Sequence, residues 1–155
     1  MDGEIFITAN GSLTASDAVA AILVLDDGRY IMQLRDLLPE IFYPDHWGCF
    51  GGAVDNGESP DESLRRELRE ELEFEVTQAR VFTRFEFDLR PLGQKRVYRT
   101  YYEVPVSSAD FSTFVLHEGA QVSAFRAEEI LRQPRVTPYD AFAIWLHFRR
   151  DRFSA

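Results

Sequence analysis

Three glutamates, Glu67, Glu70 and Glu71, stand at i, i+3 and i+4 in the charged run SLRRELREELEF, not far beyond a glycine pair, Gly51-Gly52. On a helix, at about 100° per residue, their side chains fall within about 100° of one another. Like charges that close repel, each pair by about 0.2–0.5 kcal/mol. Arg66 can pair with one of the acids but not with all three. A divalent cation removes the conflict, because hard cations such as Mg²⁺ bind carboxylate oxygens and few other ligands. Clustered acids also occur on solvated surface helices. Here they lie beside an apolar stripe and just after a tight turn, a position that suits the wall of a site better than an outer face.

The helix that must carry these acids is well marked at its start. Ser59 is an N-cap residue, and Pro60 sits where a missing N–H costs nothing. Glu62, three residues after Ser59, completes a capping box. From there to Leu72 no residue breaks a helix. Leu64, Leu68 and Leu72 form the stripe that must face a core. Glu62, Arg65, Arg69 and Glu73 take the solvated side.

This spacing resembles the Nudix box, the signature of the Nudix hydrolases (MutT-like proteins), written G-x5-E-x7-R-E-U-x-E-E-x-G-U with U a bulky apolar residue. Gly52, Glu58, Arg66, Glu67, Leu68, Glu70, Glu71 and Phe74 each stand at the required position. Glu73 stands where the box has its second glycine. That glycine ends the helix in the family, so the departure leaves open how this helix terminates. A non-glycine residue in the left-handed conformation costs about 1 kcal/mol.

The resemblance implies a Nudix fold, an α/β/α sandwich around a mixed β-sheet, over about residues 15–150. It implies hydrolysis of a nucleoside diphosphate linked to another moiety, of the nucleotide sugar, ADP-ribose or nucleoside triphosphate type. Mg²⁺, or Mn²⁺ in its place, is the implied cofactor. Glu70 and Glu71 then look like the main metal ligands. Glu67 is a further ligand or the general base, with Arg66 holding it. A carbonyl of Gly51 or Gly52 completes the coordination, which suits a backbone free of Cβ. Glu58 supports the loop and helix as an outer-shell contact. Glu118, in the loop His117-Glu118-Gly119, sits where family members often supply one more carboxylate, for metal or as base; it is otherwise a solvated loop acid. A Nudix-fold nucleotide-binding or regulatory domain without turnover is the alternative, and the intact set of three glutamates favours the enzyme.

Other residues fit the substrate. Arg35 and Arg99 could clamp phosphates, since the guanidinium fork matches phosphate oxygens, though each could be an ordinary strand-end charge. Phe42, Tyr43, Trp47 and Phe125 could stack a base, although such aromatics more often fill cores. Cys49 has no basic neighbour to activate it and reads as a packing residue. His46 has no partner at zinc-ligand spacing. Pro91 lies close to where some ADP-ribose-cleaving relatives carry a proline, but it falls in a hairpin turn. No coenzyme A signature precedes the glycine pair.

The remaining chain must frame this helix. Ala18–Leu25 is an apolar run, as in a strand buried on both faces. Asp26-Asp27-Gly28 turns it into a second strand at 30–35, and 47–50 reads as a short strand. Segments 80–89 and 96–104 form a long aromatic hairpin. A strand at 122–125, a helix over Ala127–Arg132 and an amphipathic helix over 139–152 follow. In the last, Phe142, Ile144, Trp145 and Phe148 are expected to pack inward, with Arg149, Arg150 and Arg152 solvated.

A chain of 155 residues, 45% hydrophobic, is expected to form one domain spanning 1–155. Its net charge of −9 argues against a nucleic acid polymer as partner and leaves a small phosphorylated molecule. A lone cysteine fits a reducing compartment. With no signal-peptide pattern and no membrane-length apolar run, a cytoplasmic protein without a membrane partner is expected. Residues 1–14 read as an edge strand or a homodimer contact.

Overall fold

The structure is a computed structural model that describes residues 13–154. The expected edge strand at residues 1–14 therefore lies, apart from Leu13 and Thr14, outside the described residues.

Strand β1 (Ala18–Leu25) is the central apolar run, buried on both faces as its composition requires. A turn at Gly28, with φ 84°, returns the chain antiparallel into β2 (Tyr30–Leu34). The expected strand at 47–50 is shorter: β3 (Trp47–Gly48) pairs with the end of β2, and Phe50 and Ala53 then bridge singly to β1. Helix α1 (Pro60–Leu72) follows, with both halves of its capping box formed. The hairpin is β4 (Arg80–Asp88) and β5 (Arg96–Val106), joined by a 3₁₀ turn at Arg90–Leu92. β5 runs parallel to β1, with Arg99 opposite Ala18, so the sheet is mixed.

Past β5 comes α2 (Ser108–Ser112), a single turn that the hydrophobic pattern did not announce. Its signal was the cap: the Ser107 hydroxyl accepts from the Asp110 N–H. β6 (Gln121–Phe125) pairs with β2, and α3 (Ala127–Arg132) and α4 (Pro138–Phe148) complete the order. The strand order β3-β2-β1-β5-β4, with β6 on β2, gives six strands.

Alternation along β1 divides the core in two. Val19, Ala21, Leu23 and Leu25 pack with Leu64, Leu68 and Leu72 of α1 on one face. Ala20 and Ile22 pack with Ala127, Ile130, Ala143 and Ile144 of α3 and α4 on the other. This is the expected α/β/α sandwich. Burial of each α1 leucine contributes about 1.5–3 kcal/mol, so the box helix is fixed to the sheet by its own stripe.

The packing face of α4 differs from expectation. Its buried residues are Asp140, Ala143, Ile144 and His147, which fall at i, i+3, i+4 and i+7. Phe142 and Trp145 are 52% and 40% exposed and stack on each other at the surface. Two polar residues win the inward positions because the sheet offers them partners: His147 bonds Tyr30 and Glu103, and Asp140 bonds Tyr101.

Candidate active site

Helix α1 sets its three acids at three depths. Glu71 is 2% exposed, and its one protein partner among the described residues is the Gly51 N–H, 3.1 Å from Oε2. Glu67 keeps 14% of its side chain exposed and Glu70 59%. Burial, then the charges of Glu67 and Glu118, push the Glu71 carboxyl up to about 8; the Gly51 amide and Arg35 pull the other way. Burial also raises Glu67, outweighing its contact with Arg66.

Arg66 does more than hold one acid. Its guanidinium donates to both oxygens of Glu58 (2.8 and 3.0 Å), to Glu67 (2.8 Å) and to Glu70 (3.2 Å), and also to the Ala53 carbonyl. Hydrogen bonds from Arg66 hold the Glu58 carboxyl down to about 2. Glu58 also accepts from the Asp55 N–H, so the turn before α1 and the helix are tied through one carboxylate. Glu58 thus touches the loop and Arg66.

The glycine pair has two separate reasons. Gly51 has φ 138°, and a Cβ there would lie 2.2 Å from the Val19 carbonyl oxygen, so only glycine lets this turn lie against β1. At Gly52 a Cβ would lie 2.5–2.7 Å from the Glu67 carboxylate. That bare α-carbon is what allows Glu67 to fold in beside the turn. The Gly52 carbonyl accepts from the Val19 N–H at 2.9 Å, which leaves one lone pair.

Helix α1 ends as it would with glycine. Glu73 itself adopts φ 54°, its N–H bonding the carbonyls of Arg69 and Leu68, and the Phe74 N–H also reaches Leu68. Buried Phe74 and a contact between Glu73 and His117 Nε2 (2.7 Å) offset the strain. His117 N–H donates to the Glu71 carbonyl, so the same helix end carries the loop that brings in Glu118.

A cavity of about 580 Å³ opens beside the turn. Its lining includes Gly51, Gly52, Glu71 and Glu118, together with Arg35, Phe42, Tyr43 and Arg99. Eight of the sequence-derived residues thus share one cavity, while Glu58, Arg66, Glu67 and Glu70 are not part of its lining and form their own cluster around the Arg66 guanidinium. Trp47 is not part of that lining. It packs edge-on against Phe125 at 4.8 Å in the α3–α4 core, and neither ring faces the cavity. Cys49 is buried, and burial pushes its thiol well above the ordinary range.

Among the lining residues that escaped the sequence reading are Phe87, Val97 and Tyr139, and behind Tyr139 stands Asp140. Asp140, 1% exposed, accepts from the Tyr101 hydroxyl (2.7 Å), the Cys49 N–H (2.9 Å) and Arg99 Nη2 (3.2 Å). No local pattern marks this carboxylate. Thr137 alone hints at it, as a cap-like residue opening α4.

The donor set suits a hard divalent cation. Glu67, Glu71 and Glu118 act on one another electrostatically, two of them buried enough to resist ionising, and a bare glycine α-carbon leaves room beside Glu67. No group of three or more His, Cys, Asp or Glu side chains is gathered around one point among the described residues. The reason is visible: Glu67 and Glu70 are turned onto Arg66, and Glu71 onto Gly51. No helix among the described residues is long and apolar enough to cross a membrane.

The NUDIX domain family model matches residues 15–146. The nucleoside triphosphatase NudI of Escherichia coli (strain SE11) is 41% identical over 51 residues, which cover 32% of this chain and 35% of that protein. The chain thus matches about a third of the length of this curated relative. The E. coli ORF135 protein, solved in solution, superposes with TM-score 0.69 at 26% identity over 94% of this chain and 98% of that one. The MutT protein of Methanosarcina mazei Go1 superposes with TM-score 0.73 at 20% identity, covering 93% of this chain and 99% of that one, a likeness of fold.

Proposed function

Because the chain belongs to the NUDIX family, we propose that it is a metal-dependent hydrolase cleaving the pyrophosphate of a nucleoside diphosphate linked to another moiety. The observation that carries this reading is the buried Glu71, held by a single hydrogen bond among the described residues, at the wall of a cavity that also holds Glu118 and two arginines. A buried acid left with a single hydrogen bond is costly unless a cation or proton meets it. A nucleoside triphosphate is supported as substrate class by the likeness to NudI over 51 residues.

Glu70 and Glu71, with Glu67, would hold Mg²⁺ or Mn²⁺. A bound divalent ion polarises phosphoryl oxygens and lowers the pKa of a coordinated water. Arg66 orients Glu67 and moves with Glu70. Glu118, exposed in its loop and lining the same cavity, would take the proton of the attacking water, with Glu67 as the other candidate for that role. Arg35, which the charge of Glu71 already senses, holds a phosphate oxygen. Tyr43 and Phe42 border the space left for the base. The site is read as one domain acting on a small molecule.

A second reading, a nucleotide-binding domain without turnover, is favoured by the grip of Arg66 on both Glu67 and Glu70. Release of phosphate, pyrophosphate or nucleoside monophosphate separates the two. It is measured over a panel of nucleoside triphosphates, nucleotide sugars and ADP-ribose, with Mg²⁺, with Mn²⁺ and with EDTA. Turnover that EDTA abolishes supports the hydrolase; binding without turnover across the panel supports the second reading.

A further inference from the structure

We infer that Arg99 reads the edge of the nucleobase rather than a phosphate, and that Asp140 is the residue that positions it. This rests on the reading above that the substrate carries a base. The two cavity arginines are in different electrostatic settings. Arg35 is the cation that acts on Glu71, next to the acids. Arg99 instead meets Asp140 at 3.2 Å, its side chain 15% exposed against 1% for the partner. A phosphate is drawn by an unbalanced cation. A paired Arg–Asp unit is close to neutral and suits a neutral ligand.

The guanidinium of Arg99 is also fixed in its plane. Nε donates to the Tyr101 hydroxyl at 3.0 Å, Nη2 donates to Asp140, and the group stacks 4.9 Å over the Tyr139 ring. Tyr101 donates in turn to Asp140, and the Cys49 N–H anchors the other carboxylate oxygen. Nη1 has no protein partner among the described hydrogen bonds, and Arg99 lines the cavity together with Tyr43, Phe87 and Val97. An apolar slot with a rigid pair of donors fits a flat ring whose edge offers two adjacent acceptors. Guanine offers O6 and N7, and cytosine offers O2 and N3. Adenine and uracil interrupt each such pair with a donor or a hydrogen.

The test is NMR titration of the full chain, in EDTA, with CMP, GMP, AMP, UMP and inorganic pyrophosphate. Wild type is expected to bind CMP or GMP about tenfold or more tightly than AMP and UMP, a difference typical of a two-point Arg contact. Asp140→Asn should bring the four nucleotides within about threefold and leave pyrophosphate unchanged. Arg99→Lys, which keeps the charge pair if Asp140→Asn does not fold, should do the same. The double variant Arg99→Gln/Asp140→Asn removes both charges together and should also lose the ranking. Arg35→Gln should weaken all four nucleotides and pyrophosphate alike with the ranking kept. Equal affinity of wild type for the four bases, a preference for AMP or UMP, or a loss of pyrophosphate binding in the Arg99 variants overturns the inference. Wild type that ranks the bases yet turns over no member of the triphosphate, nucleotide sugar and ADP-ribose panel with Mg²⁺ or Mn²⁺ would remove the hydrolase reading and leave this one standing.

Discussion

Glu71→Gln should make the protein more stable in the absence of metal, and by an amount that depends on pH. Glu71 is buried against α1 and the Gly51 turn, and its carboxyl is pushed from 4.5 up to about 8 by burial and by Glu67 and Glu118. The unfolded chain loses this proton near the ordinary value, while the folded chain retains it. Between those values the folded state binds more protons than the unfolded state, so stability falls as pH rises from about 4.5 to about 8 and is then level. At about 1.4 kcal/mol per pH unit, the upper bound on that loss is roughly 5 kcal/mol. Relaxation and water entry bring it to about 2–4 kcal/mol. Glutamine has no proton to lose, and its carbonyl can still accept from the Gly51 N–H. The variant should therefore match wild type near pH 4.5 and exceed it by roughly 5–15 °C in Tm at pH 8 in EDTA. Adding Mg²⁺ at a hundredfold excess over its dissociation constant should return about 2.7 kcal/mol to wild type and nothing to the variant. Melts at pH 4.5, 6 and 8, with EDTA and with Mg²⁺, read all of this. A gap that does not change with pH, or a variant less stable at pH 8, would mean that the cavity already accommodates an ionised Glu71, and the raised pKa would be wrong.

Within α1, Glu70→Gln and Glu71→Gln should each lower kcat by several powers of ten, whereas Glu62→Gln, on the solvated side and still able to close the capping box, should change it by less than about threefold; comparable losses in steady-state assays would undo the face assignment. The two glycines should separate in kind. Gly51→Ala drives a Cβ into backbone and should cost more than about 2 kcal/mol in urea unfolding, while Gly52→Ala first meets the end of the Glu67 side chain and should keep its fold but lose at least tenfold in rate. His147 is buried, and burial lowers its pKa despite Glu103. The unfolded chain then takes up the proton first, so stability should fall as pH drops below about 6.5, and His147→Gln should flatten that fall in urea midpoints taken between pH 5 and 7.5.

The sequence by itself determined whatever is settled within a turn or two of chain. The Ser59–Glu62 box, the leucine stripe and the i, i+3, i+4 acids are local periodicities, and α1 follows them closely. The all-apolar β1 announced a strand covered on both faces because no water-facing residue interrupts it. What only the tertiary structure decided are pairings across the sheet. Asp140 and Arg99 are 41 residues apart and meet because β5 lies parallel to β1 beneath α4. Glu118 reaches Glu71 because the end of α1 hydrogen-bonds the His117 loop. The same distinction explains α4: its helical period was legible, but which side faces inward depended on polar partners, Tyr101, Tyr30 and Glu103, carried by distant strands. It explains Glu73 as well. A glycine is the local answer to a left-handed helix end, and here long-range burial of Phe74 and the contact to His117 supply what the side chain costs.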